Sequence, residues 1–248
     1  MPKWLSVTAA GVFAIFGVDA GHSAEITILA SQGSISGARD LAAGFQSATG
    51  HKVTAVQEAN VMTKVNAGAP ADLVVANPPV IDDLIKQGKV VGARVDYARA
   101  GIGVAIKAGA PKPPLRNTED FVNLLRNAKS IGYSTVGSGL MAANVIKSLG
   151  LTEELKARTK FLDGFPAAEA VARGEVEIAL QQINVILPVA GAELAGPLPP
   201  ELQQYNDFAV GVLAVSKERD VATAMAKFMA APENVALVRK SGLEPPAR

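Results

Sequence analysis

The segment Gly68-Ala69-Pro70-Ala71-Asp72-Leu73-Val74-Val75-Ala76-Asn77-Pro78-Pro79 constrains the fold more than any other part of this chain. Gly-Ala-Pro makes a turn after a helix, Asp72 leads into four apolar residues, and Asn77 with two prolines opens a new helix. A strand that is apolar at every position has no solvent face and must be covered on both sides. Such strands belong to parallel sheets flanked by helices. Ligands of those sheets bind at the carboxyl ends of the strands, so the loop after Ala76 is a candidate cleft wall.

The flanking sequence keeps the same rhythm. Ile26–Ala30 reads as a strand; Ala38, Leu41, Ala42 and Phe45 mark one face of a helix that Gly50 ends; Val53–Val56 is a strand and Val61–Val65 a short helix. After Leu73–Ala76, Asn77 is expected to cap a helix carrying Val80, Ile81, Leu84 and Ile85 and ending at Gly88. This βαβαβα order predicts a parallel or mixed sheet with right-handed crossovers. A strand over Arg99–Ile106 runs into Ala-Gly-Ala-Pro-Lys-Pro-Pro at 108–114, where neither helix nor ladder continues, and a change of lobe is placed just before that stretch. The design then repeats. Thr118 is read as the cap of a helix bearing Phe121, Leu124 and Leu125, Ser130–Tyr133 as a strand, and Ala142, Val145, Ile146 and Leu149 as a helix closed by Gly150. A helix over Ala167–Arg173, a strand over Glu177–Leu180, a Gly- and Pro-rich stretch over 190–200, a strand over Ala209–Val215 and helices over Val221–Met229 and Pro232–Lys240 complete the chain. The last two are expected to pack on the first lobe. The expected domains are a leader over 1–24, one lobe from 25–98 plus 209–248, and a second lobe over 99–208.

The leader has Lys3, an apolar run from Val7 to Val18, and small residues before Glu25. That run is shorter than the roughly 20 residues a membrane span needs, and the pattern is that of a secretory signal. Cleavage after Ala20, Ser23 or Ala24 would release a chain without a membrane anchor, and the periplasm is the expected compartment. With no cysteine, disulfides and a lipid-anchored cysteine are excluded. Only His22 and His51 are present, so no metal site and no cofactor are expected; His51 reads as a surface residue. A net charge of +1 and 5% aromatic residues give no footprint for a nucleic-acid backbone or stacked bases. Gly101-Ile102-Gly103 lacks the third glycine of a dinucleotide loop, and neither a phosphate-binding Gly-Lys-Ser/Thr loop nor a Gly-x-Ser-x-Gly elbow occurs.

Two loops share one grammar, an apolar strand followed by Ser and Gly and then an amphipathic helix: Ser31-Gln32-Gly33-Ser34-Ile35-Ser36-Gly37 and Ser134-Thr135-Val136-Gly137-Ser138-Gly139. Helix N-termini carry unpaired N–H groups and partial positive charge, and glycine lets a ligand approach the backbone. Ser31, Gly33, Ser34, Ser134, Ser138 and Gly139 are therefore candidate contacts for a small anion; the alternative is that Ser36 and Ser138 merely cap their helices. Arg99, near the crossover, is taken to pair a ligand carboxylate, with a solvent-exposed ion pair as the alternative. Of Gln181 and Gln182, alternation lets one face the cleft, and Gln182 is chosen. Asn60 is either a ligand contact or an N-cap. Glu58 is either a solvated carboxylate or, beside Tyr133, a candidate base if the protein moves a proton.

From Glu25 onward the chain resembles type II periplasmic solute-binding proteins of ABC transporters, near their molybdate-binding branch. The likeness rests on Ile28-Leu29-Ala30-Ser31, the segment Asn66-Ala67-Gly68-Ala69-Pro70-Ala71-Asp72-Leu73-Val74, and Ala231-Pro232-Glu233-Asn234 with Ser241-Gly242-Leu243. It implies an α/β, two-lobed type II periplasmic-binding-protein fold with mixed sheets flanked by helices and a ligand cleft between the lobes. The molybdate pattern of a serine-rich second loop is replaced by Gln57-Glu58-Ala59-Asn60, and its later tyrosine by the Gln181-Gln182 region. Arg99-Ala100-Gly101-Ile102-Gly103-Val104-Ala105, Ala108-Gly109-Ala110-Pro111-Lys112-Pro113 and Ala172-Arg173-Gly174-Glu175 are instead similar to an exported aconitate isomerase branch of the family. The resemblance implies capture of a small organic anion, a di- or tricarboxylate, for an ABC transporter permease. Cofactor-free aconitate isomerisation and molybdate binding are the alternatives.

Overall fold

Strands β1 (Glu25–Ser31) and β2 (Lys52–Glu58), joined by helix α1 (Ile35–Thr49), open the computed structural model, which describes residues 23–247. The leader expected over 1–24 lies outside the described residues up to residue 22. Gly50 ends α1 at φ 76°, a left-handed turn in which its N–H returns to the Gln46 carbonyl. Helix α2 (Val61–Asn66) leads to β3 (Leu73–Ala76), and α3 (Pro78–Lys86) follows it. All four residues of β3 are buried, as the unbroken apolar run requires. Each buried Val or Leu there contributes about 1.5–3 kcal/mol relative to exposure.

The strand expected over 99–106 is far longer. Strand β4 (Val90–Lys107) spans 18 residues and passes through the whole molecule. Beyond it lie α4 (Thr118–Asn127), β5 (Ile131–Tyr133), α5 (Ser138–Ser148), the single turn α6 (Thr152–Leu155), β6 (Thr159–Phe161), α7 (Ala167–Ala172), β7 (Ile178–Gln182), the single turn α8 (Ile183–Ile186), β8 (Ala192–Pro197), β9 (Tyr205–Leu213), α9 (Arg219–Ala230) and α10 (Val235–Lys240). The strand order is β2-β1-β3-β9-β4-β7-β5-β6, with β8 also on β4. β1 is parallel to β2 and β3, β5 is parallel to β6 and β7, and β9 and β4 run antiparallel to their neighbours, so the sheet is mixed. Along β4 the partner changes: Val90–Gly101 pairs with β9, while Ile102–Ile106 pairs with β7.

The apolar cores divide at the same place. Leu41, Phe45, Met225 and Met229 pack with Ile26 and Ile28 on one face of the first half of the sheet, and Ile81 and Leu84 pack with Leu29 and Val74 on the other. Phe121, Leu125, Val145 and Ile146 cover Val104 and Leu180, and Ala168, Val171 and Ile186 cover Ala105 and Ala179. The C-terminal helices pack on the first half, as their position after β9 dictates.

Several local expectations are corrected. Asn117, not Thr118, caps α4: its side chain accepts the Asp120 N–H at 2.9 Å, which leaves Thr118 as the first helical residue. Ser34 and Gly137 hold the cap positions assigned to Ser36 and Ser138, and neither helix has a side-chain cap bond. His51 is buried, not a surface residue: its ring stacks on Phe45 and its Nδ1 accepts the Ala24 N–H at 3.2 Å. The Gly- and Pro-rich stretch holds β8, an edge strand on which the missing N–H of Pro197 costs no ladder bond.

Candidate functional site

The strand ends determine where a ligand can sit. β1, β2 and β3 are parallel, so Ser31, Ala59 and Asn77 all emerge at one end of the first half. In the second half Ser134 follows β5, Gly164 and Phe165 come after β6, and Gln181 and Gln182 end β7. These two sets, with Asn206 of β9, enclose a cleft of about 260 Å³ between the halves. The N-terminal loops of α1 and α5 both border it, through Gln32 and Gly33 on one side and Val136, Gly137 and Ser138 on the other. A larger, more open recess of about 860 Å³ adjoins it, and Gln32, Gly164, Phe165 and Val185 border both cavities. The inner cleft is the candidate site because the carboxyl ends of the strands converge there.

Among the candidate residues, the structure brings Ser31, Gly33, Ser134, Ser138 and Gln182 together on this cleft. Gln182 is buried and its Nε2 has no hydrogen-bond partner among the described residues. A buried amide donor left unpaired costs about 1–3 kcal/mol, and a ligand oxygen would remove that cost. Gly33 faces it: a Cβ on Gly33 would lie 2.6 Å from Gln182 Oε1 and would push the amide from its place. The Ser134 hydroxyl donates to the Val136 carbonyl at 2.8 Å and accepts its N–H at 3.0 Å, which folds the second loop into a tight turn.

The other candidates fall elsewhere. Ser34 is fully buried beneath the first loop; its hydroxyl donates to the Ser31 carbonyl at 3.1 Å and shares a hydrogen with the Ser31 hydroxyl at 3.0 Å, so it shapes the loop from below. Gly139 is buried against the same turn from the other side, where a Cβ would come within 1.7 Å of the Ser134 carbonyl oxygen. Asn60 caps α2 by accepting the Thr63 N–H at 3.0 Å and is exposed outside the cleft. Arg99 does not border the cleft: its Nη2 donates to Glu244 at 2.8 Å and its guanidinium lies 3.8 Å over the Tyr205 ring. The C-terminal segment is bound there by reciprocal backbone bonds between Arg99 and Glu244, both 2.8 Å. Glu58 is drawn to Lys64 at 3.7 Å, and Tyr133 packs edge-on against Phe161, its hydroxyl pushed above its ordinary pKa by burial. Neither candidate base borders the cleft.

Four further polar residues line the cleft. Asn77, in the loop expected to form a cleft wall, holds the cap position of α3 without a side-chain cap bond; its side chain reaches Asn206 and donates to the Asp207 carbonyl at 2.9 Å, joining β3 to β9. Gln181 also borders the cleft while its Oε1 accepts the Ala168 N–H at 3.1 Å at the start of α7. Gln32 and Asn206 complete the polar lining. Among the described residues no charged side chain lines the inner cleft, so the polarity they give it comes from hydroxyls, amides and backbone. Outside it, Asp163 accepts the Thr135 N–H and hydroxyl, each at 2.8 Å, and so anchors the second loop. Those bonds, the backbone N–H foremost, hold its carboxyl below its ordinary pKa of 3.8.

The resemblance implied a two-lobed fold with a ligand cleft, and the two Ser- and Gly-bearing loops predicted helix N-termini at it; the model of one family, described as bacterial extracellular solute-binding protein, matches residues 26–244. The chain belongs to that family. This family member is 26% identical over 229 residues to an aconitate isomerase of Pseudomonas sp, covering 89% of this chain and 87% of that protein. It is 24% identical over 236 residues to the molybdate-binding protein ModA of Azotobacter vinelandii, covering 90% and 91%. The periplasmic molybdate-binding protein of A. vinelandii superposes on it with a TM-score of 0.73 at 22% identity, covering 90% of this chain and all of that one. The fold is therefore the type II periplasmic-binding-protein fold, which it shares with that molybdate-binding protein.

Proposed function

We propose that this solute-binding protein captures a small organic anion bearing two or three carboxylates in the inner cleft and presents it, in the periplasm, to an ABC-type transporter. In this reading the lobes are 25–98 plus 209–248 and 99–208, and the ligand is held by Ser31, Gly33, Ser138 and Gln182 at the facing helix N-termini. The observation that carries the reading is the buried, unpartnered Gln182 Nε2 on a cleft that holds no carboxylate. A donor without a partner suits a ligand oxygen, and the neutral lining leaves an anion unopposed. The inner cleft, about 260 Å³, has room for a branched polycarboxylate and not only for a single tetrahedral oxoanion.

A second reading, aconitate isomerisation without a cofactor, is favoured by the 26% identity to an aconitate isomerase. Glu58 and Tyr133 do not serve it, because neither reaches the cleft. The carboxylates that border the adjoining recess are Asp40 and Glu169.

The test is calorimetric titration of the leaderless protein with cis-aconitate, trans-aconitate, citrate, molybdate and sulfate, with the aconitate samples followed by NMR. Saturable binding of a carboxylate without a change in its spectrum supports the receptor, and interconversion of the aconitates makes the protein an enzyme. Heat from molybdate alone overturns both. Gln182→Met adds a signature: it should weaken the ligand by about tenfold or more, yet leave the ligand-free melting temperature unchanged or higher, since it removes a buried unpaired donor.

A further inference from the structure

We propose that Arg39 is a second anchor of the ligand and selects polycarboxylates over single oxoanions, an inference that rests on reading the inner cleft as an organic-anion site. The inner cleft has hydrogen-bond donors but no cation. The recess that opens from it across Gln32, Gly164, Phe165 and Val185 brings in Arg39. On α1 the apolar residues Ile35, Ala38, Leu41, Ala42 and Phe45 face the core. Ser36, Arg39 and Asp40, spaced i, i+3, i+4, share the opposite face, which borders the recess. The loop before α1 thus borders the inner cleft through Ser31, Gln32 and Gly33, and the first two turns of α1 border the recess through Ser36 and Arg39, so one loop and its helix offer an anion two separate footholds.

The neighbouring charges leave Arg39 available. Among the described residues no carboxylate lies within ion-pair distance of it. Glu169, across the recess, is engaged by Arg173 at 3.3 Å. Asp40 is the one unpaired acid on the same lining, and its charge opposes an incoming carboxylate. Asn184 fixes the wall between the cavities: it is fully buried, its Nδ2 donates to the Gly33 carbonyl at 2.7 Å and to Ser36 Oγ at 3.0 Å, and its Oδ1, an acceptor without a partner among the described residues, suits a ligand hydroxyl rather than a carboxylate. One ligand carboxylate would rest on the helix N-termini, and a second would take the fork of Arg39, whose planar guanidinium matches a carboxylate through two parallel hydrogen bonds.

The experiment is calorimetry of the parent protein and of R39Q, R39K and D40N with cis-aconitate, citrate and molybdate at low and at physiological salt. Melting temperatures without ligand serve as the fold control, which R39Q should pass because Arg39 is exposed and unpaired. R39Q is expected to weaken cis-aconitate or citrate by about tenfold and to flatten its salt dependence, R39K to fall between, and D40N to tighten it by about twofold. Any molybdate affinity the parent shows should stay within about twofold in R39Q. A parent that binds the tricarboxylates and an R39Q variant that binds them equally well would overturn this inference and leave the proposed function standing. A parent that binds none of them would overturn both, and the parent titration alone reveals that.

Discussion

Removing the Asp72 carboxylate should destabilise the protein without touching the ligand site. Asp72 Oδ2 accepts the Thr27 N–H at 2.8 Å and Oδ1 accepts the Ser216 hydroxyl at 2.6 Å. Its own N–H donates to the Thr27 carbonyl at 2.9 Å and its carbonyl accepts the Leu213 N–H at 2.8 Å. One side chain thus ties β1, the start of β3 and the segment just after β9 together at the amino end of β3, away from the cleft at the carboxyl end. Hydrogen bonds to a charged group are worth about 1.5–3 kcal/mol each. Both are partly exposed, so the lower value applies to each, and Asp72→Ala is expected to cost about 3 kcal/mol. For a chain of this size that is a fall of roughly 6–12 °C in melting temperature. Asp72→Asn keeps an acceptor for Thr27 and offers its amide to Ser216 Oγ, so it should cost only about 1 kcal/mol. Scanning calorimetry of the two variants and the parent reads these shifts, and titration well below the melting range should find ligand affinity unchanged. An Asp72→Ala variant melting within about 2 °C of the parent, or no more damaging than Asp72→Asn, would refute the reasoning.

Gly139→Ala should lower the melting temperature by several degrees and weaken ligand binding, because a Cβ 1.7 Å from the Ser134 carbonyl forces the second loop to move; overpacking of this kind costs about 1–3 kcal/mol, and unchanged affinity by titration would contradict it. Tyr97→Phe should leave stability unchanged or raise it in a denaturant melt, since the Tyr97 hydroxyl is buried without a partner and burial drives its pKa upward. Asp163→Ala should loosen the second loop at neutral pH, read as faster exchange of the Thr135 amide. The folded carboxyl titrates below its ordinary 3.8, so its contribution is present above that value and is lost as pH falls through the lower folded pKa. The gap between variant and parent should therefore begin to narrow as pH falls below about 4 and close only below the lower folded pKa, and a gap that does not narrow in that range would exclude the carboxylate as the anchor.

What could be read in the sequence was what the chain encodes locally. The run Leu73–Ala76 announces a doubly covered strand because each of its side chains must leave water. The Ser and Gly loops announce helix N-termini because the physics of an exposed N–H needs no distant partner. Short edge strands and an irregular strand start were not visible: β6 has three residues, β8 ends in Gly196-Pro197, and the first third of the long β4 is half-exposed and bulged between Val91 and Val95. The errors at the site share one cause. Arg99 looked available because its partner Glu244 stands 145 residues away, and Asn77 looked like a cap because Asn206, which it meets across the sheet, lies 129 residues on. Charge and amide groups take the partner that the fold brings near, and only the topology identifies it. Where no partner is brought near, the side chain remains unsatisfied in the ligand-free fold. Gln182 Nε2 and Asn184 Oδ1 are in that position on the walls of the two joined cavities. Burial of such groups opposes folding, so a fold that keeps the Gln182 donor beside an open cavity gives up stability that a ligand oxygen can restore, while the Asn184 acceptor calls for a ligand hydroxyl.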